Sequence, residues 1–380
     1  MRVSLFLNHA CNLRCTYCYN GEKFARAMPW EVAERGVALA LDEPGPARVS
    51  FFGGEPLMER ELMRRVIDAG KALAASRKRA LGFLVVTNAT LLDEPTLDWL
   101  LDEGVHIGLS LDGSQRAHDA ARVFAGGGGS WAVASENARR VFARAPGTKV
   151  IAVIHPGNVR WLAESFVALL DLGAINLSMN VDYEAEWDDA AREALVESLA
   201  ALGDAYVAAY RAGRRFTLNL IDSKVITHLK GGYADSDRCD FGTEEVAISP
   251  TGRFYPCDRL VGEDDREDLV IGDVWRGFDV ERRAALITEK HTLSPECEGC
   301  ALRARCMNWC GCINYGMTGS VGEVDGLLCW LEQVTIEAAD RAAEVLYQEE
   351  DQGFIARFYA PRRRRLLAQD LKLHAGKRDP

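Results

Sequence analysis

The first half of the chain repeats two patterns. Short runs rich in Val, Ile, Leu and Phe fall at 3–7, 48–52, 82–87, 106–111, 149–154 and 175–181. Brief, nearly continuous apolar runs predict strands buried on both faces, as in a parallel sheet. Helical stretches lie between them at 29–41, 59–76, 94–102, 130–143 and 158–172. Pro29 suits a first helical turn, and Asp93 ahead of Glu94-Pro95 predicts a helix start. Repeated strand–helix units predict an α/β fold, with function at the C-terminal ends of parallel strands. Six units predict a partial (β/α)6 TIM-like barrel, open on one side to admit a large substrate.

The second half reads differently. An Ala/Leu-rich stretch at 188–214 predicts a long helix, and a second helix spans 221–230. Gly231-Gly232 then breaks the chain ahead of a cysteine-rich region. That region contains a predicted hairpin, 245–249 with 253–255, around Pro250-Thr251-Gly252. An amphipathic helix is predicted at about 332–349, followed from 361 by a polar, basic, frayed tail. The expected divisions are a barrel core at 1–185, a helical bridge at 186–235, the cysteine-rich domain at 236–335, and a C-terminal helix and tail at 336–380. The glycine run at 126–129 reads as a mobile loop; it lacks the GxxxxGK[ST] pattern of a phosphate cradle.

Composition narrows the class. With 48% apolar and 27% charged residues, the 380-residue chain is ordinary for a globular protein large enough for two domains. No apolar run approaches the roughly 20 residues of a membrane span. Met1-Arg2-Val3-Ser4 leads straight into a strand without a signal peptide, so a cytoplasmic location without membrane attachment is expected. The net charge of −11 argues against nucleic acid as a partner. The basic cluster Arg362-Arg363-Arg364-Arg365 has the charge to attract an acidic leader peptide, but such runs are usually simply solvated. Eleven cysteines in a chain without an export signal point away from disulfides. Three lie at 11, 15 and 18 and the other eight between 239 and 329, which predicts two metal-binding regions.

Cys11-Asn12-Leu13-Arg14-Cys15-Thr16-Tyr17-Cys18 places a CxxxCxxC spacing on the loop leaving the first strand. A four-iron cluster normally takes four thiolates, so three leave one iron open for chemistry. Zinc usually wants a tetrahedron closed by paired cysteines or histidines, and no such partner is near in sequence. Phe51-Phe52-Gly53-Gly54-Glu55-Pro56 closes the second strand; its glycines allow close backbone approach to a ligand, and its glutamate offers a carboxylate. Val86-Thr87-Asn88 and Ser110-Leu111-Asp112-Gly113 end the third and fourth strands. Read alone, Asp112-Gly113 is a turn.

Together these segments resemble the radical S-adenosylmethionine (SAM) enzymes. Their signature is CxxxCxYC after a first strand, with an aromatic residue, here Tyr17, before the last cysteine. The resemblance implies a [4Fe-4S] cluster on Cys11, Cys15 and Cys18 whose open iron chelates S-adenosyl-L-methionine. The bound sulfonium is then cleaved to a 5′-deoxyadenosyl radical. Gly53, Gly54 and Glu55 match the motif that holds the methionine amino group. Asn88, Ser110 and Asp112 match further cofactor-contacting segments, although Ala89 stands where a glycine is usual. Asp119 and Arg122 lie in a His-Asp-x-x-Arg stretch also seen in relatives. Arg122 meets the methionine carboxylate or a substrate on this reading, or forms a surface ion pair.

The later cysteines, Cys239-x17-Cys257, then Cys297-x2-Cys300-x5-Cys306-x3-Cys310-x-Cys312, then Cys329, resemble the SPASM extension of these enzymes. It holds two auxiliary iron–sulfur clusters. The family pattern implies auxiliary cluster I, two-iron or four-iron, on Cys239, Cys257 and Cys310, and auxiliary cluster II on Cys297, Cys300, Cys306 and Cys329. The Cys310-Gly311-Cys312 pair resembles the radical enzyme of pyrroloquinoline quinone biosynthesis and adds Cys312 to cluster I. Asp258 after Cys257 resembles the YPCD aspartate that serves as a general base in sulfatase-maturating relatives. Asp182 and Tyr183, at the end of the sixth strand, are candidate substrate contacts.

The resemblance implies an oxidoreductase that modifies a precursor peptide or protein. The leading expectation is a crosslink in a ribosomally made peptide; the alternative is oxidation of Cys or Ser to formylglycine in a sulfatase. Only ten residues precede Cys11, so a separate leader-peptide-binding protein or the core itself is expected to bind a leader. An electron donor such as flavodoxin or ferredoxin completes the expected partners.

Overall fold

The computed structural model describes residues 1–43 and 45–360. The first half alternates as expected: β1 (Arg2–Phe6), α1 (Trp30–Asp42), β2 (Ala47–Phe52), α2 (Arg60–Ser76), β3 (Leu81–Thr87), α3 (Glu94–Asp102), β4 (Val105–Ser110). The short α4 (Gln115–Asp119) and α5 (Trp131–Arg144) follow, then β5 (Lys149–Ile154), α6 (Leu162–Leu172) and β6 (Asn176–Val181). The Asp93 carboxylate accepts from Thr96 N at 3.0 Å, satisfying one of the orphan amides that open α3. Gly173 closes α6 in a left-handed conformation, φ 108°, which costs a residue without Cβ little.

The second half begins with α7 (Asp189–Arg211), β7 (Thr217–Leu218) and α8 (Asn219–Lys230). The cysteine-rich region carries β8 (Glu245–Ile248), β9 (Phe254–Tyr255), β10 (Gly272–Asp273), β11 (Gly277–Phe278), α9 (Val280–His291), α10 (Pro295–Glu298) and α11 (Gly311–Thr318). Last come α12 (Gly326–Gln348) and α13 (Gln352–Phe358). The expected 332–349 helix therefore starts six residues early, capped by Asp325 accepting from Leu327 N at 2.7 Å, and Cys329 sits in its first turns. The arginine cluster at 362–365 lies outside the described residues.

Among the described residues the sheet has nine strands in the order β7-β6-β5-β4-β3-β2-β1-β8-β9. Pairing is parallel from β7 to β8 and antiparallel only between β8 and β9. The end strands β7 and β9 do not pair with each other, so the barrel is open. The predicted hairpin forms, but β8 also runs beside β1, with Val3 opposite Val246 and Leu5 opposite Ile248. All four of these side chains are buried, so the cysteine-rich region is joined to the core through shared sheet. On the far side α12 packs against α7 and α8 through Leu328, Leu331, Ile336, Ala339, Ala342 and Leu346. No helix among the described residues is long and apolar enough to cross a membrane.

Candidate active site

The cysteine loop is held from two sides. Where β2 ends, Gly54 N donates to Asn8 O at 2.7 Å and Glu55 N to Ala10 O at 3.0 Å. A Cβ on Gly54 would lie 2.0 Å from Ala10 O, and one on Gly53, φ 124°, would lie 2.6 Å from Asn8 O. The close approach these glycines permit is thus to the backbone leading into Cys11, which the sequence pattern alone did not distinguish from approach to a ligand. On the other side Arg14 N donates to Val123 O at 2.8 Å, Ala125 N to Asn12 O at 2.9 Å, and Thr16 N to Ala121 O at 3.2 Å. The glycine run at 126–129 closes this backing segment: Gly127 and Gly128 have positive φ and Val123 bridges Gly129.

The strand ends supply the polar wall. Glu55 is buried; Oε1 accepts from Thr87 Oγ1 at 2.7 Å and Leu57 N at 3.0 Å, and Oε2 from Asn88 N at 2.8 Å. Burial raises its pKa, and these donors pull the other way. Asn88 reaches Asn12 Oδ1 at 3.0 Å and lies 3.8 Å from Cys11 Sγ. Ala89 adopts φ 66°, so the turn keeps the left-handed form that a glycine would take.

Asp112 and Tyr17 build a support behind the cysteines. Tyr17 Oη donates to Asp112, whose Oδ1 also accepts from Arg122 and from Val153 N, both at 3.0 Å. The Arg122–Asp112 pair is buried, with side chains 7% and 0% exposed, and Arg122 lies 5.3 Å from the Tyr17 ring centroid. Arg122 therefore forms an ion pair inside the protein rather than on its surface. Asp112 stands behind the cavity wall, while Tyr17, Ser110 and Arg122 face the cavity. Asp119 holds Trp131 N at 2.8 Å, away from the cavity.

His118 completes the support. Ser130 Oγ donates to Arg122 O at 2.7 Å, so it accepts from His118 Nε2 at 2.9 Å, while His118 Nδ1 accepts from Asp112 N at 3.3 Å. Those bonds require the neutral imidazole, and burial lowers its pKa to about 4.

One cavity of about 550 Å³ joins this wall to the second half of the chain. Cys11, Cys15 and Cys18 line one side; Cys310, Cys312 and Asp258 line another, with Asp182 and Tyr183 between β6 and the C-terminal helices. Cys310 and Cys312 Sγ are 3.6 Å apart, and Cys257 is within hydrogen-bonding contact of Cys312. Cys310 is the N-cap residue of α11 and Cys312 is in its first turn; contact with Cys312 and burial hold the Cys310 thiol well above its ordinary pKa, and contact with Cys257 and burial do the same for Cys312. Burial raises the Asp258 pKa, and its Oδ1 is 3.6 Å from Cys257 Sγ. Arg259 stacks on Tyr19 and pairs with Glu184 at 2.9 Å. Cys239 is exposed, as are Cys300 and Cys329, while Cys297 and Cys306 are buried; these five do not line the cavity.

Among the cavity residues that escaped the sequence reading are two buried charges. Lys224 of α8 and Glu332 of α12 form an ion pair at 2.6 Å with side chains 3% and 5% exposed. The signal was a charge inside an apolar helical stripe: Glu332 falls among Leu328, Leu331, Thr335 and Ile336.

Residues 5–170 match the Radical SAM superfamily. The chain carries a radical SAM domain over those residues. It is 28% identical over 345 residues to the PqqA peptide cyclase of Rhodopseudomonas palustris, covering 86% of this chain and 85% of that protein. It is 25% identical over 324 residues to the serine-type anaerobic sulfatase-maturating enzyme of Klebsiella aerogenes, covering 79% and 77%. The fold is shared with anSMEcpe bound to AdoMet and the Cp18Cys peptide, at TM-score 0.76 and 20% identity over 92% of this chain and 99% of that one. SuiB of Streptococcus suis bound to precursor peptide SuiA gives TM-score 0.61 at 17% identity, covering 86% and 75%.

The family implies a [4Fe-4S] cluster and S-adenosylmethionine, and the donor set fits. Cys11, Cys15 and Cys18 offer three soft thiolates to one cavity, as iron–sulfur ligation requires. Leu13 N points at Cys11 Sγ from 3.4 Å, and Asn20, which also lines the cavity, has a buried Oδ1 without a partner.

Proposed function

We propose that the protein matures a ribosomally made peptide, abstracting a hydrogen and installing a carbon–carbon, ether or thioether crosslink. The supporting observation is the shared cavity, which the first cysteine set and Asp258 both line. On this reading Cys11, Cys15 and Cys18 hold the [4Fe-4S] cluster. Cys239, Cys257, Cys310 and Cys312 hold auxiliary cluster I, and Cys297, Cys300, Cys306 and Cys329 hold auxiliary cluster II. When bound, these groups with S-adenosylmethionine supply the 5′-deoxyadenosyl radical and an acceptor for the electron the substrate gives up.

The chain's own residues do the rest. Glu55 has a carboxylate lone pair beyond its three internal donors and binds the methionine amino group. Gly53 and Gly54 hold the cysteine loop at the right height. Asn88, Ser110, Tyr17 and Arg122 orient the cofactor, with Asp112 fixing the last two from behind. Forming a crosslink removes two hydrogens from the peptide, one as an atom and one as a proton plus an electron. Asp258, with its pKa raised by burial, takes the proton on a carboxylate oxygen. Asp182 and Tyr183 contact the peptide. The functional units follow 1–185, 186–235, 236–335 and 336–380; a flavodoxin or ferredoxin supplies electrons and a separate protein binds any leader.

Coexpression with a short peptide encoded beside this gene tests the proposal. The expected product has lost two daltons, and fragmentation places a bond between two residues. Oxidation of a Cys or Ser in a sulfatase, with no new bond, would establish formylglycine formation instead. That second reading is favoured by Asp258 directly after Cys257 and by the sulfatase-maturating relative. The Cys312 assignment has its own check, because Cys312→Ala is expected to lower iron content and alter the cluster spectrum. Unchanged iron and spectra would remove it from the ligand set.

A further inference from the structure

The Lys224–Glu332 pair lies where the reaction cavity meets the Cys306 turn. Glu332 Oε2 takes two donors, Lys224 Nζ at 2.6 Å and Met307 N at 2.8 Å, so it grips the amide directly after Cys306. Glu332 also lies three residues beyond Cys329 on α12, which puts the two side chains on neighbouring positions of one helix face. The segment before Cys306 is tied to the same network. Arg305 donates to Lys224 O at 2.9 Å and pairs with Asp340 of α12 at 2.5 Å. One carboxylate and one ammonium, both nearly excluded from solvent, thus stand beside the Cys306 turn, with Cys329 about one turn back along α12.

A buried ion pair is seldom retained for stability, because well-packed apolar residues of similar volume often do as well or better. Its charges act strongly on a neighbouring redox group, since little water screens them. Cluster potentials are set in part by nearby charge and solvent exposure. We infer that Lys224 and Glu332 are positioning residues that fix the Cys306 turn and tune the reduction potential of the cluster on Cys297, Cys300, Cys306 and Cys329. The inference rests on the ligand assignment proposed above. Glu332 disfavours the added electron, Lys224 favours it, and the pair keeps the net effect small.

The test uses full-length protein reconstituted with iron and sulfide, titrated anaerobically and followed by electron paramagnetic resonance, with iron counted per chain. Glu332→Gln keeps the size and an acceptor for Met307 N, and raises the potential of this cluster. Lys224→Met lowers it. Each single variant shifts the oxidised-to-reduced ratio at fixed potential about tenfold, or about 59 mV for a one-electron couple, and the double variant returns towards wild type. Opposite signs are the signature, because a purely structural role would lower iron content in both variants without them. Shifts in the same direction, or none, in variants that retain full iron would overturn the inference alone. A wild type that assembles no cluster on these four cysteines would overturn the ligand assignment and the inference together.

Discussion

Single residues carry sharp consequences here. Gly54→Ala would drive a methyl into Ala10 O, a backbone atom that cannot swing aside. The expected cost is about 3 kcal/mol, the upper end for overpacking, read as a lower urea midpoint and as lost iron in the first cluster. His118 sets a pH dependence. Its folded pKa is about 4, below the ordinary 6.5, so the neutral ring contributes stability that is fully present above pH 6.5. Protonation of the unfolded chain removes that contribution as pH falls from 6.5 towards 4, by up to about 3 kcal/mol. Thermal melts across this window should show a shallower decline in His118→Asn than in wild type; parallel curves would contradict the assignment. Residue chemistry was the most legible level of the sequence. The cysteine spacings and the glycines at 53 and 54 were plain, because motif chemistry is local. Which atoms the glycines approach was not, since Asn8 and Ala10 meet them only after folding.

At the scale of elements, the parallel strands and their helices were readable because each is a short apolar run bounded by turn residues. The later elements were less so. The helix α11 is eight residues long, and α12 opens with Gly326, which hides its start despite the Asp325 cap. The pairing of β8 with β1 joins positions more than two hundred residues apart, and no local pattern encodes it. These elements matter to the site because they carry cysteines. Leu331 of α12 is 1% exposed and belongs to the helix that packs against α7 and α8 and carries Cys329. Leu331→Ala is expected to cost about 3 kcal/mol and to loosen iron held through Cys329 before iron held by Cys11, Cys15 and Cys18. Chelator-challenge kinetics would show this as two phases, with only the faster one accelerated in the variant.

For the whole molecule, the decisive arrangement is a cavity shared by both halves of the chain. The sequence placed the two cysteine regions on separate stretches, and the fold brings Cys11, Cys15 and Cys18 to one cavity with Cys310 and Cys312. Burial raises the Cys11 thiol to about 11 and the Cys15 thiol to about 12, so both are protonated at neutral pH before metal arrives. Loading iron must release those protons, and cluster assembly should strengthen as pH rises. At fixed iron and sulfide, more iron per chain is expected at pH 8.5 than at pH 6.5; equal loading would contradict it. The central claim, that Cys11, Cys15 and Cys18 form a radical-generating site, is tested most directly by supplying reconstituted protein with S-adenosylmethionine and dithionite. Wild type should yield 5′-deoxyadenosine and methionine, and Cys15→Ser neither. An iron-loaded wild type that yields neither product, or a Cys15→Ser variant that matches it, would contradict the account.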